Sequence, residues 1–98
     1  MRKLTIATVA VAAMVFPVHA AEAAPPGCQV AYDSYNQSRQ AGFGLSQCAD
    51  GVQRLVLSCI NTFSLVTYVR YGPWVGPGSQ STVQCISYDA AFNADVQR

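Results

Sequence analysis

The chain has 98 residues, four cysteines, 51% hydrophobic residues and a formal net charge of +1. That is room for one small domain. Six Lys and Arg against five Asp and Glu exclude the basic footprint that nucleic-acid binding needs. The only lysine (Lys3), the only histidine (His19) and both methionines (Met1, Met14) lie near the N-terminus, so the rest of the chain has arginine as its single cationic side chain.

In chain order, residues 1–23 read as a secretory signal peptide. Arg2 and Lys3 form a positive start, residues 4–16 are apolar apart from Thr5 and Thr8, and small-residue cleavage sites follow between Ala20 and Ala24. The apolar run is shorter than the roughly 20 residues a spanning helix needs, so export with cleavage is expected and no membrane contact after processing. Residues 24–98 then form a single secreted domain. Its charges are Arg39, Arg54, Arg70 and Arg98 against Asp33, Asp50, Asp89 and Asp95. A neutral surface of this kind recruits neither nucleic acid nor anionic lipid. Recognition falls to shape, aromatic contact and hydrogen bonding.

Residues 29–35 suit a strand with Val30 and Tyr32 on one face. Residues 36–46 are polar and punctuated by Gly42 and Gly44 with Phe43 between them, which predicts an exposed loop. Residues 51–60 predict a strand with apolar side chains on both faces, as in a sandwich or barrel. Asn61-Thr62 makes a turn, and residues 63–71 are dense in aromatic and β-branched residues, a strong strand signal. Residues 72–78 hold two prolines and three glycines and predict a loop or bulged corner. Residues 81–88 resume as a strand, and residues 90–98 suit a short edge strand or a frayed tail. The expected fold is all-β, a small disulfide-stapled β-sandwich of about six antiparallel strands.

All four cysteines, Cys28, Cys48, Cys59 and Cys85, fall in the exported part. An even count in a short secreted chain implies disulfides, which a core this small needs. Three connectivities are open, and sequential pairing is favoured. A metal site is not expected, because no C-x-x-C occurs and the exported part has no histidine.

Catalysis near neutral pH needs a proton-transfer group, a metal or an activated nucleophile. With no histidine, lysine or free thiol expected, aspartates, tyrosines and hydroxyls remain. Asp33 and Asp50 share no motif that would make them a glycosidase pair. The chain is therefore expected to be no enzyme and to carry no cofactor. The candidate binding residues are instead Tyr35, Arg39 and Phe43 around the first loop, and Tyr71 and Trp74 at the end of the strand over 63–71. Aromatics and arginine dominate binding hot spots.

The segment Cys28-Gln29-Val30-Ala31-Tyr32-Asp33-Ser34-Tyr35 resembles the opening of the tendamistat family, small secreted bacterial proteinaceous inhibitors of α-amylase. Those begin with Cys, three residues, Tyr, one residue, then Ser and an aromatic. Cys48-Ala49-Asp50-Gly51-Val52 is similar to the family's Cys-Ala-(Glu/Asp)-x-Val. Pro77-Gly78 ahead of Thr82-Val83 resembles its Pro-Gly segment before a Thr-containing strand. The resemblance implies a six-stranded sandwich with sequential disulfides, Cys28–Cys48 and Cys59–Cys85. It also implies an exposed Trp-Arg-Tyr triplet on the first hairpin that blocks the amylase cleft. Here Tyr35-Asn36-Gln37 takes the triplet's place, the first loop is longer, and Cys59 comes earlier than in the family. Arg39 and Phe43 are the residues that would stand in for the missing arginine and second aromatic.

The expectation is thus a secreted monomeric inhibitor whose partner is an extracellular hydrolase of the α-amylase class. The alternatives are a non-catalytic carbohydrate- or cell-surface-binding module stacking on Tyr68, Tyr71 and Trp74, and a small toxin on the same scaffold.

Overall fold

The fold is described from a computed structural model, for residues 19–20 and 24–98. The expected signal peptide, residues 1–23, lies outside the described residues except for the backbone of one short strand, β1 (His19–Ala20). Six strands follow: β2 (Cys28–Asn36), β3 (Ala41–Cys48), β4 (Arg54–Ile60), β5 (Thr67–Tyr71), β6 (Gln80–Gln84) and β7 (Ala90–Gln97). They form two antiparallel sheets, one in the order β1-β2-β3-β6 and the other in the order β5-β4-β7. The all-β sandwich stapled by two disulfides is therefore the observed architecture.

Alternation along β4 sets how the sheets meet. Leu55, Leu57 and Cys59 are fully buried, while Arg54, Val56, Ser58 and Ile60 between them are half-buried. The strand was expected to be apolar on both faces; instead one face is the core and the other looks outward. Ala91 and Ala94 of β7 join Leu55, Leu57 and Cys59, and Val30 packs on them from the opposing sheet. Burial of each leucine contributes about 1.5–3 kcal/mol. The sheets approach closely because β3 turns Gly44 inward. A Cβ there would lie 2.8 Å from Leu57 Cδ1 and 3.2 Å from Leu55 Cδ2.

Residues 36–46 are not a loop. Asn36 closes a tight turn, accepting from the Arg39 and Gln40 amides, and β3 starts at Ala41. β3 lies between β2 and β6 and bonds to both. Two ladders satisfy its backbone, and that tertiary gain overrides the weak strand propensity of glycine. The strand expected over 63–71 starts only at Thr67. Ahead of it the Asn61 side-chain oxygen accepts from the Phe63 and Ser64 amides, a local turn that outcompetes a ladder. Phe63 is left 92% exposed. The strand over 81–88 likewise ends at Gln84, where the chain turns and Tyr88 takes a φ of 72°. Residues 90–98 form a true edge strand, β7, beside β4.

Both disulfides pair sequentially. Cys28–Cys48 joins directly opposed residues of the β2–β3 hairpin. Cys59–Cys85 ties β4 to the segment after β6, and so one sheet to the other. Two disulfides in so small a domain are consistent with an extracellular protein.

The interior is not wholly apolar. Gln53 is fully buried. Its oxygen accepts from Ser46 Oγ, and its amide nitrogen donates to the Ser46 and Ser79 carbonyls. Ser81 Oγ donates to the Pro73 carbonyl at 2.7 Å and accepts from the Leu55 amide at 3.0 Å. These bonds pin the loop over 72–79 to the end of β4.

Candidate functional site

That pinning builds an exposed aromatic–arginine cluster. Tyr71 pairs with Val56 across the β4–β5 ladder, so on the outward face it stands diagonal to Arg54, within reach of a long side chain. After Gly72 and Pro73 the chain returns, and Gln53 and Val75 exchange both backbone hydrogen bonds, at 3.0 and 2.9 Å. Trp74 is thereby brought beside Arg54. The Arg54 guanidinium carbon lies 4.1 Å from the Tyr71 ring centre and 4.6 Å from that of Trp74. Its Nε donates to Gln97 Oε1 of β7 at 2.6 Å. Each cation–π contact contributes about 0.5–1 kcal/mol at an exposed site. Together with the Gln97 bond they hold three large side chains in one arrangement while Tyr71 and Trp74 stay 52% and 49% exposed.

The five residues singled out in the sequence do not form one site. Tyr35, Arg39 and Phe43 lie at the β2–β3 turn, the end of the sandwich where Asp89 and Ala90 meet Gly42 and Ile60. Tyr71 and Trp74 lie at the Arg54 end of β4. The six residue steps along β4 put about 20 Å between those ends. Phe43 departs furthest from expectation. It sits in the middle strand of its sheet and is 5% exposed, with the Arg39 guanidinium 3.9 Å above its ring. Tyr35 is 37% exposed at the end of β2. The hairpin therefore presents Tyr35 and Arg39, and no loop tip carries Phe43.

Arg54 is the residue that sequence reasoning missed. It belongs to a strand whose apolar members drew attention inward, and it is separated by many residues from both rings. Only the alternation of β4, which sends Arg54 to the face opposite Leu55, could have marked it as outward.

Tyr68, proposed for a stacking platform, points the other way. Its hydroxyl donates to Asp89 Oδ2 and accepts from the Ile86 amide at 3.1 Å, and Asp89 also accepts from Asn61 at 2.9 Å. Burial first, and then the bond donated to Asp89, raise the Tyr68 pKa above its ordinary value of 10.0. The folded chain holds this proton more tightly than the unfolded one. The resulting stability is fully present below pH 10.0 and is lost as pH rises through the folded value. In the Tyr68→Phe variant the urea midpoint should fall less steeply over that alkaline range than in the parent.

Asp33 and Asp50 are likewise apart. Asp33 opposes Phe43 near the turn, whereas Asp50 lies beyond Cys48 and accepts from Arg98 at 2.8 Å. Among the described residues no group of three His, Cys, Asp or Glu stands close enough to hold a metal ion, and all four cysteines are in disulfides.

Family models, curated proteins and solved structures were compared with the chain, and none matches it.

Proposed function

We propose that the chain is a secreted inhibitor of an extracellular glycoside hydrolase, an α-amylase first of all, and that it docks through Tyr71, Arg54 and Trp74 rather than through the first hairpin. The observation that carries this reading is the exposed cluster itself. A tryptophan, an arginine and a tyrosine, not contiguous in the sequence, are assembled side by side on the rigid outward face of β4 and β5. These are the three residue types most enriched in interface hot spots. Preorganised by the Gln97 bond and the Gln53–Val75 bridge, they lose little side-chain freedom on docking, so more of their contact energy appears as affinity. The cysteine-anchored likeness to the tendamistat family supports the choice of amylase as the target, and the two disulfides support export. The domain needs no cofactor and acts by binding.

Titrating a panel of α-amylases with the processed protein tests this. Inhibition is expected at or below micromolar protein. Trp74→Ala or Arg54→Ala is expected to raise the inhibition constant by about 30-fold or more, the hot-spot range, with Tyr35→Ala and Arg39→Ala changing it little. Full activity of every amylase at micromolar protein would sink the target, and hairpin variants more damaging than the Trp74 variant would sink the site.

A carbohydrate-binding reading rests on the same two exposed rings. Trp74 is the single tryptophan, so soluble polysaccharide added without any enzyme should change its fluorescence if that reading holds.

A further inference from the structure

The β5 edge of the second sheet is open. The Gly72 amide donates to the Leu55 carbonyl and the Asn61 amide to the Val66 carbonyl, both at 2.9 Å. These bonds set the phase of the β4–β5 ladder, whose register runs unbroken from Val56–Tyr71 to Ile60–Thr67. Tyr68 and Arg70 therefore turn their backbone groups to β4, while Thr67, Val69 and Tyr71 turn theirs away from it. No strand lies on that side of β5, and none of the amides and carbonyls turned away bonds to another backbone group among the described residues. The opposite edge, β7, is blunted: the Phe92 carbonyl accepts from the Tyr32 hydroxyl at 3.1 Å, and the Val96 amide donates to Asp95 Oδ1 at 2.8 Å. On β6 the Thr82 backbone is shielded by Gly72, where a Cβ would come within 3.1 Å of the Thr82 carbonyl oxygen. β5 has neither proline nor bulge, the devices that usually keep an edge from pairing.

The strand fits a second copy of itself. Antiparallel pairing about Val69 sets Val69 against Val69 and Thr67 against Tyr71 of the second copy, and each opposed pair exchanges both of its backbone hydrogen bonds. The one charge on the strand, Arg70, then falls opposite Tyr68 of the second copy rather than opposite itself. Residues 24–98 carry equal numbers of arginines and aspartates, so two copies approach without net repulsion. Apolar side chains flank the edge, with Leu65 at 68%, Val66 at 60% and Val69 at 45% exposure. Leu65 holds a φ of 63°, where glycine or asparagine is favoured, and it lies outside the core cluster.

We infer that the protein forms a two-fold dimer in which β5 of one copy pairs antiparallel with β5 of another, centred on Val69, in place of the monomer expected from the sequence. The two three-stranded sheets become one of six strands. Because the same edge is used by both copies, the contact closes on itself and leaves no β5 edge for a third. Tyr71 contributes only its backbone, and its ring stays on the face it shares with Arg54. The inference therefore stands apart from the inhibitor reading.

Sedimentation equilibrium of the purified protein tests this. So small an interface is of the weak, transient kind, and a monomer–dimer equilibrium with a dissociation constant on the order of 0.1 mM is expected. Val69 opposes itself across the axis, so Val69→Lys and Val69→Asp should each raise that constant about tenfold or more by setting like charges together. An equimolar mixture of the two variants should dimerise again, at least as tightly as the parent. Both substitutions fall on an exposed side chain, and an unchanged thermal midpoint checks that the fold is kept. Val69→Pro, which removes an amide that β4 does not use, should abolish association as well. A parent that stays monomeric at about ten times the expected constant would overturn the inference. So would association unaffected by the single variants, a mixture that remains monomeric, or oligomers that keep growing beyond the dimer.

Discussion

Replacing Cys59 and Cys85 together by alanine is expected to lower the unfolding free energy by about 3–5 kcal/mol, the upper part of the range for a native disulfide in a small domain. The loop closed between them, of 26 residues, is little longer than the 20 between Cys28 and Cys48. Chain entropy alone would therefore make the two bridges nearly equal, at roughly 3 kcal/mol each. Their settings separate them. Cys28 and Cys48 are opposed in a hairpin that its ladder already closes. Cys59 and Cys85 are both buried in the core and connect the two sheets, so their loss also leaves a packing defect. Urea denaturation of the two double variants, side by side, checks the order. A Cys28/Cys48 variant less stable than the Cys59/Cys85 variant would contradict it.

Gly42→Ala is expected to be nearly as damaging, although it adds one methyl group. A Cβ at residue 42 would lie 2.3 Å from the Ala91 amide nitrogen and 2.9 Å from the Ser34 carbonyl oxygen. Both are backbone atoms, so no side-chain rotation relieves the overlap. β7 must lift away from β3 and take Ala91 and Ala94 out of the core. Overpacking of this kind costs about 1–3 kcal/mol and sometimes more. Gly76→Ala is the control, since a Cβ there meets nothing within 4 Å, and its change should stay within about 0.5 kcal/mol. Thermal unfolding of the two variants gives the comparison directly.

Gly42 also shows why part of the fold was illegible beforehand. Two glycines in a polar stretch signal a loop when only local preferences are weighed. Here they are the residues that let the middle strand of one sheet lie against the other. The reverse error occurred at Phe63 and Val66. Their types favour a strand, but the Asn61 side chain caps a turn ahead of them, and nothing in β-propensity registers that competition. Strands over 29–35 and 51–60 follow from local residue types, and they match β2 (Cys28–Asn36) closely and β4 (Arg54–Ile60) at its C-terminal end, though the inward and outward faces of β4 did not follow from them.

The candidate site divides in the same way. Tyr71 and Trp74 were visible as an aromatic pair flanking a Gly-Pro break, because residue type and break are local features. Arg54 was not, since its place between the two rings depends on the β4–β5 register and on a bridge between Gln53 and Val75. Phe43 was placed at a loop tip because the central position of β3 could not be read from its neighbours.

By itself the sequence determined the composition of the problem: a small, all-β, cysteine-stapled domain with arginine as its only cation beyond the N-terminal segment. Such properties depend on residue type, spacing along one strand and the even cysteine count, all within a few residues of where they act. The tertiary structure alone decided which face of each strand is buried, how the two ends of the sandwich divide the aromatic residues, and that Trp74, Arg54 and Tyr71 stand together. Those outcomes come from pairing between segments distant in the chain, where the gain from closing a ladder and packing two sheets exceeds any single residue's local preference.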